Sequence, residues 1–279
     1  MDYKTILVRC DASKATSPRL GVAVELAERF GAHLIGLYAR WPIEPPLYFD
    51  IGGGKEIDEV IRSYAQLVAA DKAAALSAFG EATKGKRITT EWRVAEGRVI
   101  ADVSSLARNV DLIVAGQAEP GQGISPSNLP EAVALETGRP VLVVPYVGIQ
   151  KAPGRVVMLC WNASREAARA ASDALPLLKL AERVIVLVVE STASVREHGA
   201  QHDTDVTMWL KRHGVRVTLK KDVAPDADVG SAILSRAADH GVDMIVMGLY
   251  GHSRIWEFVV GGVSRTLLAE MTVPLFIAH

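Results

Sequence analysis

The sequence predicts two similar α/β domains in one chain, each a doubly wound, five-stranded parallel sheet flanked by helices. Three observations lead there. The 279 residues suit about two domains. Short β-branched runs alternate with longer stretches of helical period. The chain also repeats itself: Ile6-Leu7-Val8-Arg9-Cys10-Asp11-Ala12-Ser13 returns as Val157-Met158-Leu159-Cys160-Trp161-Asn162-Ala163-Ser164, and Asp111-Leu112-Ile113-Val114-Ala115-Gly116 returns as Asp243-Met244-Ile245-Val246-Met247-Gly248. From Asp11 to Asn162 the offset is 151, and from Asp111 to Asp243 it is 132, so the second copy is 19 residues shorter in between. The stretch Trp41 to Gly54, rich in Pro and Gly, and part of the helix after it account for the difference. The predicted domains are 1–147 and 154–279, with a seam across Pro145 to Gly154.

The elements follow in order. Strands are expected near 5–10, 33–39, 88–94, 111–115 and 141–144, and again near 155–161, 183–189, 215–222, 243–247 and 274–277. Four helices lie between them in each copy. Ser17 reads as an N-cap with Pro18 at the first helical position, Gly31 as the stop, and Ser164 as the start of the matching second-copy helix. Ile57, Val60, Ile61, Tyr64, Leu67 and Val68 have the spacing of one buried helix face.

Composition removes several function classes. An apolar fraction of 49% with 23% charged residues belongs to a folded chain. The 31 Lys+Arg and 32 Asp+Glu leave a net charge of -1, which supplies no global field for nucleic acid or an acidic membrane surface. Apolar runs such as Val184–Val189 and Val141–Val144 fall far short of the roughly 20 residues of a membrane helix. Arg9 and Asp11 break the first apolar run too early for a signal peptide, so a cytoplasmic protein is expected. Cys10 and Cys160, each inside a strand-like run, read as reduced core residues.

In an open parallel sheet ligands bind beyond the carboxyl ends of strands where strand order reverses. After the fourth strand of the second copy come Gly248-Leu249-Tyr250-Gly251, nine residues, and Gly261-Gly262-Val263-Ser264 at a helix start. Glycines there turn the chain sharply and bare N–H groups at a helix N-terminus, which favours an anion. His252, Ser253 and Arg254 add short-range donors for phosphate oxygens. The bare spacing is weak in a chain with 23 glycines, and its alternative is a tight turn with close helix packing. Its position between a strand and a helix gives it weight.

These residues resemble a tandem universal stress protein, two Rossmann-like domains of that family in one polypeptide. The family mark, Gly, two residues, Gly, nine residues, then Gly followed by Ser or Thr, maps to Gly248, Gly251, Gly261 and Gly262. Gly262 departs from the hydroxyl residue, and Ser264 is the hydroxyl two residues later. The resemblance implies ATP or AMP, with Mg²⁺ as a companion of the phosphates. It maps the strand-one carboxylate to Asn162, the adenine-holding backbone to Val188 or Val189, and the residue before the motif to Met247. Asn162 keeps hydrogen-bonding capacity without the charge. In the first copy Asp11 is retained, but Glu119, Pro120, Leu129, Pro130 and Glu131 stand where the phosphate turn belongs, and the glutamates would repel a triphosphate. That copy is expected to be a scaffold paired with the other, as the subunits of single-domain members are paired. The apolar strands Val141–Val144 and Leu275–Ile277, taken as edges, are expected to pair within the chain or in a homodimer.

Other constellations carry less. Gly52-Gly53-Gly54-Lys55 fails as a phosphate loop, because Glu56 replaces the Ser or Thr and Phe49 the first Gly. His198 and His202, four apart with Asp203 and Asp205 nearby, have helical metal spacing in polar surroundings, with Gly199 between them. No catalytic set stands out. Three functions remain: an adenine-nucleotide binding module acting in stress response, a ligand-independent interaction protein with both sites eroded, and a slow ATPase.

Overall fold

The computed structural model describes residues 2–40, 55–96, 99–118, 129–149, 151–191, 201–225, 228–249 and 262–279. The first half runs β1 (Thr5–Cys10), α1 (Thr16–Phe30), β2 (His33–Arg40), α2 (Lys55–Thr83), β3 (Thr90–Glu96), α3 (Val99–Ala107), β4 (Leu112–Gly116), α4 (Leu129–Thr137) and β5 (Val141–Val144). The second runs β6 (Val156–Cys160), α5 (Arg165–Asp173), α6 (Leu175–Leu180), β7 (Arg183–Ser191), α7 (Gln201–Arg212), β8 (Val217–Ala224), α8 (Val229–Asp239), β9 (Met244–Gly248), α9 (Gly262–Glu270) and β10 (Leu275–Ala278). Pro176 stands in the first turn of α6, where it supplies no N–H to continue α5, and so the second half has a helix that the repeat does not predict.

The ten strands among the described residues form one sheet, in the order β3-β2-β1-β4-β5-β10-β9-β6-β7-β8. Each half repeats one arrangement, with its first strand between its second and fourth. The halves meet where β5 and β10 pair antiparallel, Val141 opposite Ile277 and Val143 opposite Leu275. An antiparallel seam is what a twofold relation between two copies produces, since the same edge meets itself. β5 and β10 are therefore central strands, correcting their reading as edges. The sheet ends at β3 and β8.

Strand residues alternate between two helical layers. Ile6, Val8 and Cys10 face a core with α1, α2, α5, α6 and α7, whereas Leu7 faces one with α3, α4, α8 and α9. Both cores run through both halves, so apolar burial ties the repeats together. The repeated aspartates have a structural role: Asp111 Oδ2 accepts from the N–H groups of Lys4 and Thr5 (2.7 and 2.9 Å), and Asp243 accepts from those of Gly154, Arg155 and Val156 (3.0, 3.0 and 3.2 Å). Each secures the start of its half's first strand.

Three local expectations meet the structure differently. Ser164 caps α5, accepting from Ala167 N–H at 3.1 Å, and Gly31 ends α1 in the left-handed region at φ 59. Ser17 does not cap α1. The helix starts at Thr16, whose hydroxyl is turned back to the Asp11 carbonyl and carboxylate (2.7 and 2.6 Å). Ile61 and Leu67 are 52% and 65% exposed, not a buried face, and the core contacts of α2 come from Ala75 and Phe79. The reason is length: 29 residues of helix extend about 43 Å, while the eight-residue β2 spans only about 26 Å.

Candidate functional site

The predicted site residues that are described gather at the carboxyl ends of β6, β7 and β9 and at the start of α9. Gly248 ends β9 beside β6, and α9 begins at Gly262, so a helix N-terminus follows a strand that flanks the strand-order reversal. Gly251, His252, Ser253, Arg254 and Gly261 lie outside the described residues.

Gly248 has a packing reason to be glycine. A Cβ there would lie 2.5 Å from the Glu166 carbonyl carbon and 2.6 Å from Ala167 N, so β9 and the first turn of α5 touch through backbone. At Gly262 a Cβ would meet nothing within 4 Å. The helix start there is open, and steric room does not explain the missing Ser or Thr. Val263 packs against the α8–α9 core, while Ser264 is buried on the face that also carries Leu267 inward. Met247 is buried in the same core. Of the two valines proposed for adenine, Val188 faces the α5–α7 core and Val189 the opposite one, so only Val189 shares a face with Met247.

Asn162 is exposed and its Oδ1 accepts from Ser164 N–H at 3.2 Å. This local turn, with Ala163 at φ 58, presents the cap of α5. Among the described residues the donors near an anion are backbone groups at helix starts and the exposed guanidinium of Arg165 at the start of α5, while the Asn162 side chain is a neutral partner.

In the first half a buried ion pair stands at the corresponding strand end. Arg19, 2% exposed on α1, donates to Asp11 Oδ2 at 2.9 Å and Thr16 Oγ1 at 2.8 Å. A Cβ added to Gly116 would collide with its Nη1. The guanidinium therefore lies against the end of β4 where the second half has Gly248 against helix backbone. Ser13 donates to the same carboxylate through N–H at 3.0 Å and through its hydroxyl, and Arg9 approaches at 3.7 Å. Burial alone would raise the Asp11 carboxyl, but Arg19, Arg9 and the Ser13 and Thr16 hydrogen bonds hold it well below the usual carboxylate range. Leu129 and Pro130 are buried at the start of α4, and burial raises the Glu131 carboxyl. Glu119 and Pro120 lie outside the described residues.

Two structurally important positions escape the sequence reading. Arg19 carries a usable signal, because a cation three residues past Thr16 on an otherwise apolar helix face requires a buried partner. Gln117 carries none. Its Nε2 donates to the Leu268 and Ala269 carbonyls at the end of α9 (2.9 and 3.0 Å), and its Oε1 accepts from Tyr146 N–H at 3.1 Å. It links the first half to the helix that carries the second half's glycine motif.

The remaining candidates resolve simply. Burial pushes the Cys10 and Cys160 thiols up to about 12, and both cysteines are free. Gly52 to Gly54 and His198 lie outside the described residues, and the His202 side chain is not described. Among the described residues no three His, Cys, Asp or Glu side chains form a metal-ligating group, and no helix is long and apolar enough to cross a membrane.

The model of the universal stress protein family matches residues 2–145. No curated protein matches the chain. Among solved structures, a universal stress protein from Archaeoglobus fulgidus is similar at 16% identity with a TM-score of 0.70, covering 98% of this chain and 95% of that one. A functionally unknown protein from Pseudomonas aeruginosa is similar at 15% identity and TM-score 0.59, over 99% of this chain and 92% of its own. At these identities the likeness is one of fold.

Proposed function

Because the chain belongs to the universal stress protein family, we propose that its second half is an adenine-nucleotide binding module, for ATP or AMP, acting in stress response in the cytoplasm. The observation that carries the reading is the placement of the α9 N-terminus: β9 stops at Gly248 beside the strand-order reversal, and α9 begins at Gly262. Phosphate would take the N–H groups at that helix start. Adenine would lie against Val189 and Met247, and Asn162 would offer its amide to the sugar. Mg²⁺ would accompany the phosphates.

The first half serves as the scaffold, its own site held by the Asp11–Arg19 pair. Mass spectrometry of small molecules released from the purified chain is the direct test, with ATP or AMP the expected find. Millimolar ATP or AMP should also raise the melting temperature, and changing Gly251 and Gly261 to Val should remove the rise. Absence of both released and added nucleotide binding would overturn the reading. In its place would stand a ligand-independent interaction protein, a reading favoured by the local bond of Asn162 to Ser164 and the missing hydroxyl at Gly262.

A further inference from the structure

We propose that the groove between α5 and α7 binds a flat organic monocation. The groove is a separate place from the glycine-led site. Trp161 and Ala171 belong to the α5–α7 core, while Met247, Val189 and Val263 belong to the opposite face of the sheet. The groove borders that site at Asn162, which stands between the lining residues Trp161 and Ala163.

The volume is about 450 Å³, within the range of small-ligand sites. Trp161 and Trp209 supply indole rings to its lining, Ala168 and Ala171 a smooth wall, and Asp205 the one charge among the described residues there. Aromatic faces with a carboxylate select a cation with a flat apolar body, since each ring attracts positive charge through its quadrupole and the carboxylate adds direct attraction. Trp161 Nε1 is buried and has no hydrogen-bond partner among the described residues. Ala163, also in the lining, belongs to the turn that Asn162 closes on Ser164.

Comparison of the two halves shows that the groove is specific to the second. At the 151-residue offset Leu20 becomes Ala171 and Cys10 becomes Trp161, and by strand register Tyr38 becomes Val188. In the first half Tyr38 donates its hydroxyl to Asp71 Oδ2 and Ala12 its N–H to Asp71 Oδ1, both at 2.9 Å, so α2 is tied down over this spot. Loss of the leucine and the tyrosine opens the same spot in the second half.

Three probes with one ring system separate charge from shape: 1-methylnicotinamide, a cation; nicotinamide, neutral; and nicotinate, an anion. Titrations of the full chain would follow heat and tryptophan emission. The cation should bind saturably and at least about tenfold more tightly than nicotinamide, and nicotinate should not bind. Asp205→Asn should bring the cation down to the level of nicotinamide. Ala171→Leu, restoring the first half's residue, should abolish binding while circular dichroism shows an intact fold. If Ala171→Leu fails to fold, Asp205→Asn alone decides. Absence of saturable binding by the cation at millimolar concentration, equal binding of all three probes, or cation binding indifferent to Asp205→Asn would overturn the proposal.

Discussion

Replacing Arg19 with methionine tests whether the first half is held by its internal ion pair. The guanidinium is 2% exposed and contributes two hydrogen bonds, to Asp11 and Thr16. Removing one member of a buried pair typically costs about 3–5 kcal/mol, because the other charge loses its compensation. Here Asp11 keeps 20% of its side chain in solvent and retains bonds from Ser13 and Thr16. The low end therefore applies, about 3 kcal/mol, or a fall in melting temperature of about 6–12 °C for a chain of this size.

Urea unfolding at neutral pH gives the single-variant value, and a cycle with Asp11→Asn gives the coupling, expected to exceed about 1 kcal/mol for groups in direct contact. The pH dependence has a definite sign. The folded-state pKa of Asp11 is depressed, so its contribution is fully present above the unfolded value, near about 4, and is lost as pH falls through the folded value. The stability gap between the wild type and Asp11→Asn should be widest at neutral pH and should narrow on acidification below about pH 4. A measured cost for Arg19→Met under about 0.5 kcal/mol, the usual range of a surface change, would refute the reasoning.

Other perturbations follow from the same contacts. Gly248→Ala places a Cβ 2.5 Å from backbone that cannot swing aside, and should destabilise by about 1–3 kcal/mol in chemical denaturation. Gln117→Ala strips partners from the Tyr146 N–H and from the α9 carbonyls, at a cost of about 1–3 kcal/mol; an unchanged melting curve would remove its role as a link between halves. With both thiols pushed up to about 12, Cys10 and Cys160 should resist alkylation at pH 8 in the native chain and react promptly in urea.

The strands are legible in the sequence because burial on both faces leaves continuous β-branched runs, such as Val141–Val144 and Val184–Val189, that few other elements share. Their neighbours are less so. A run like Leu275–Ile277 states that it is buried, but not whether the next strand comes from its own half or from the other. Helix ends depend on which residue falls at the cap: Ser164 stands there for α5, whereas α1 has Ala15, which carries no acceptor, while the Thr16 hydroxyl one position on is engaged by Asp11. Spacing alone places Ile61 and Leu67 in the core, because periodicity reports that a helix has an apolar face and not whether the sheet is long enough to cover it.

The two halves show how one architecture can be stabilised at the same place by different means. At the strand-order reversal the first half sets a buried guanidinium against Gly116, and the second sets the α5 backbone directly against Gly248. The first solution fixes a cation and requires Asp11 to stay ionised; the second uses no cation against the glycine, its buried charge being Glu166 bonded to Arg165, and Asn162 closes a turn on Ser164. Retention of the strand-one aspartate is therefore a poor guide to which half binds an anion. Asp11 persists where a cation inside the protein already satisfies it, and its loss at position 162 removes a negative charge from the end of the sheet where α9 presents its N-terminus.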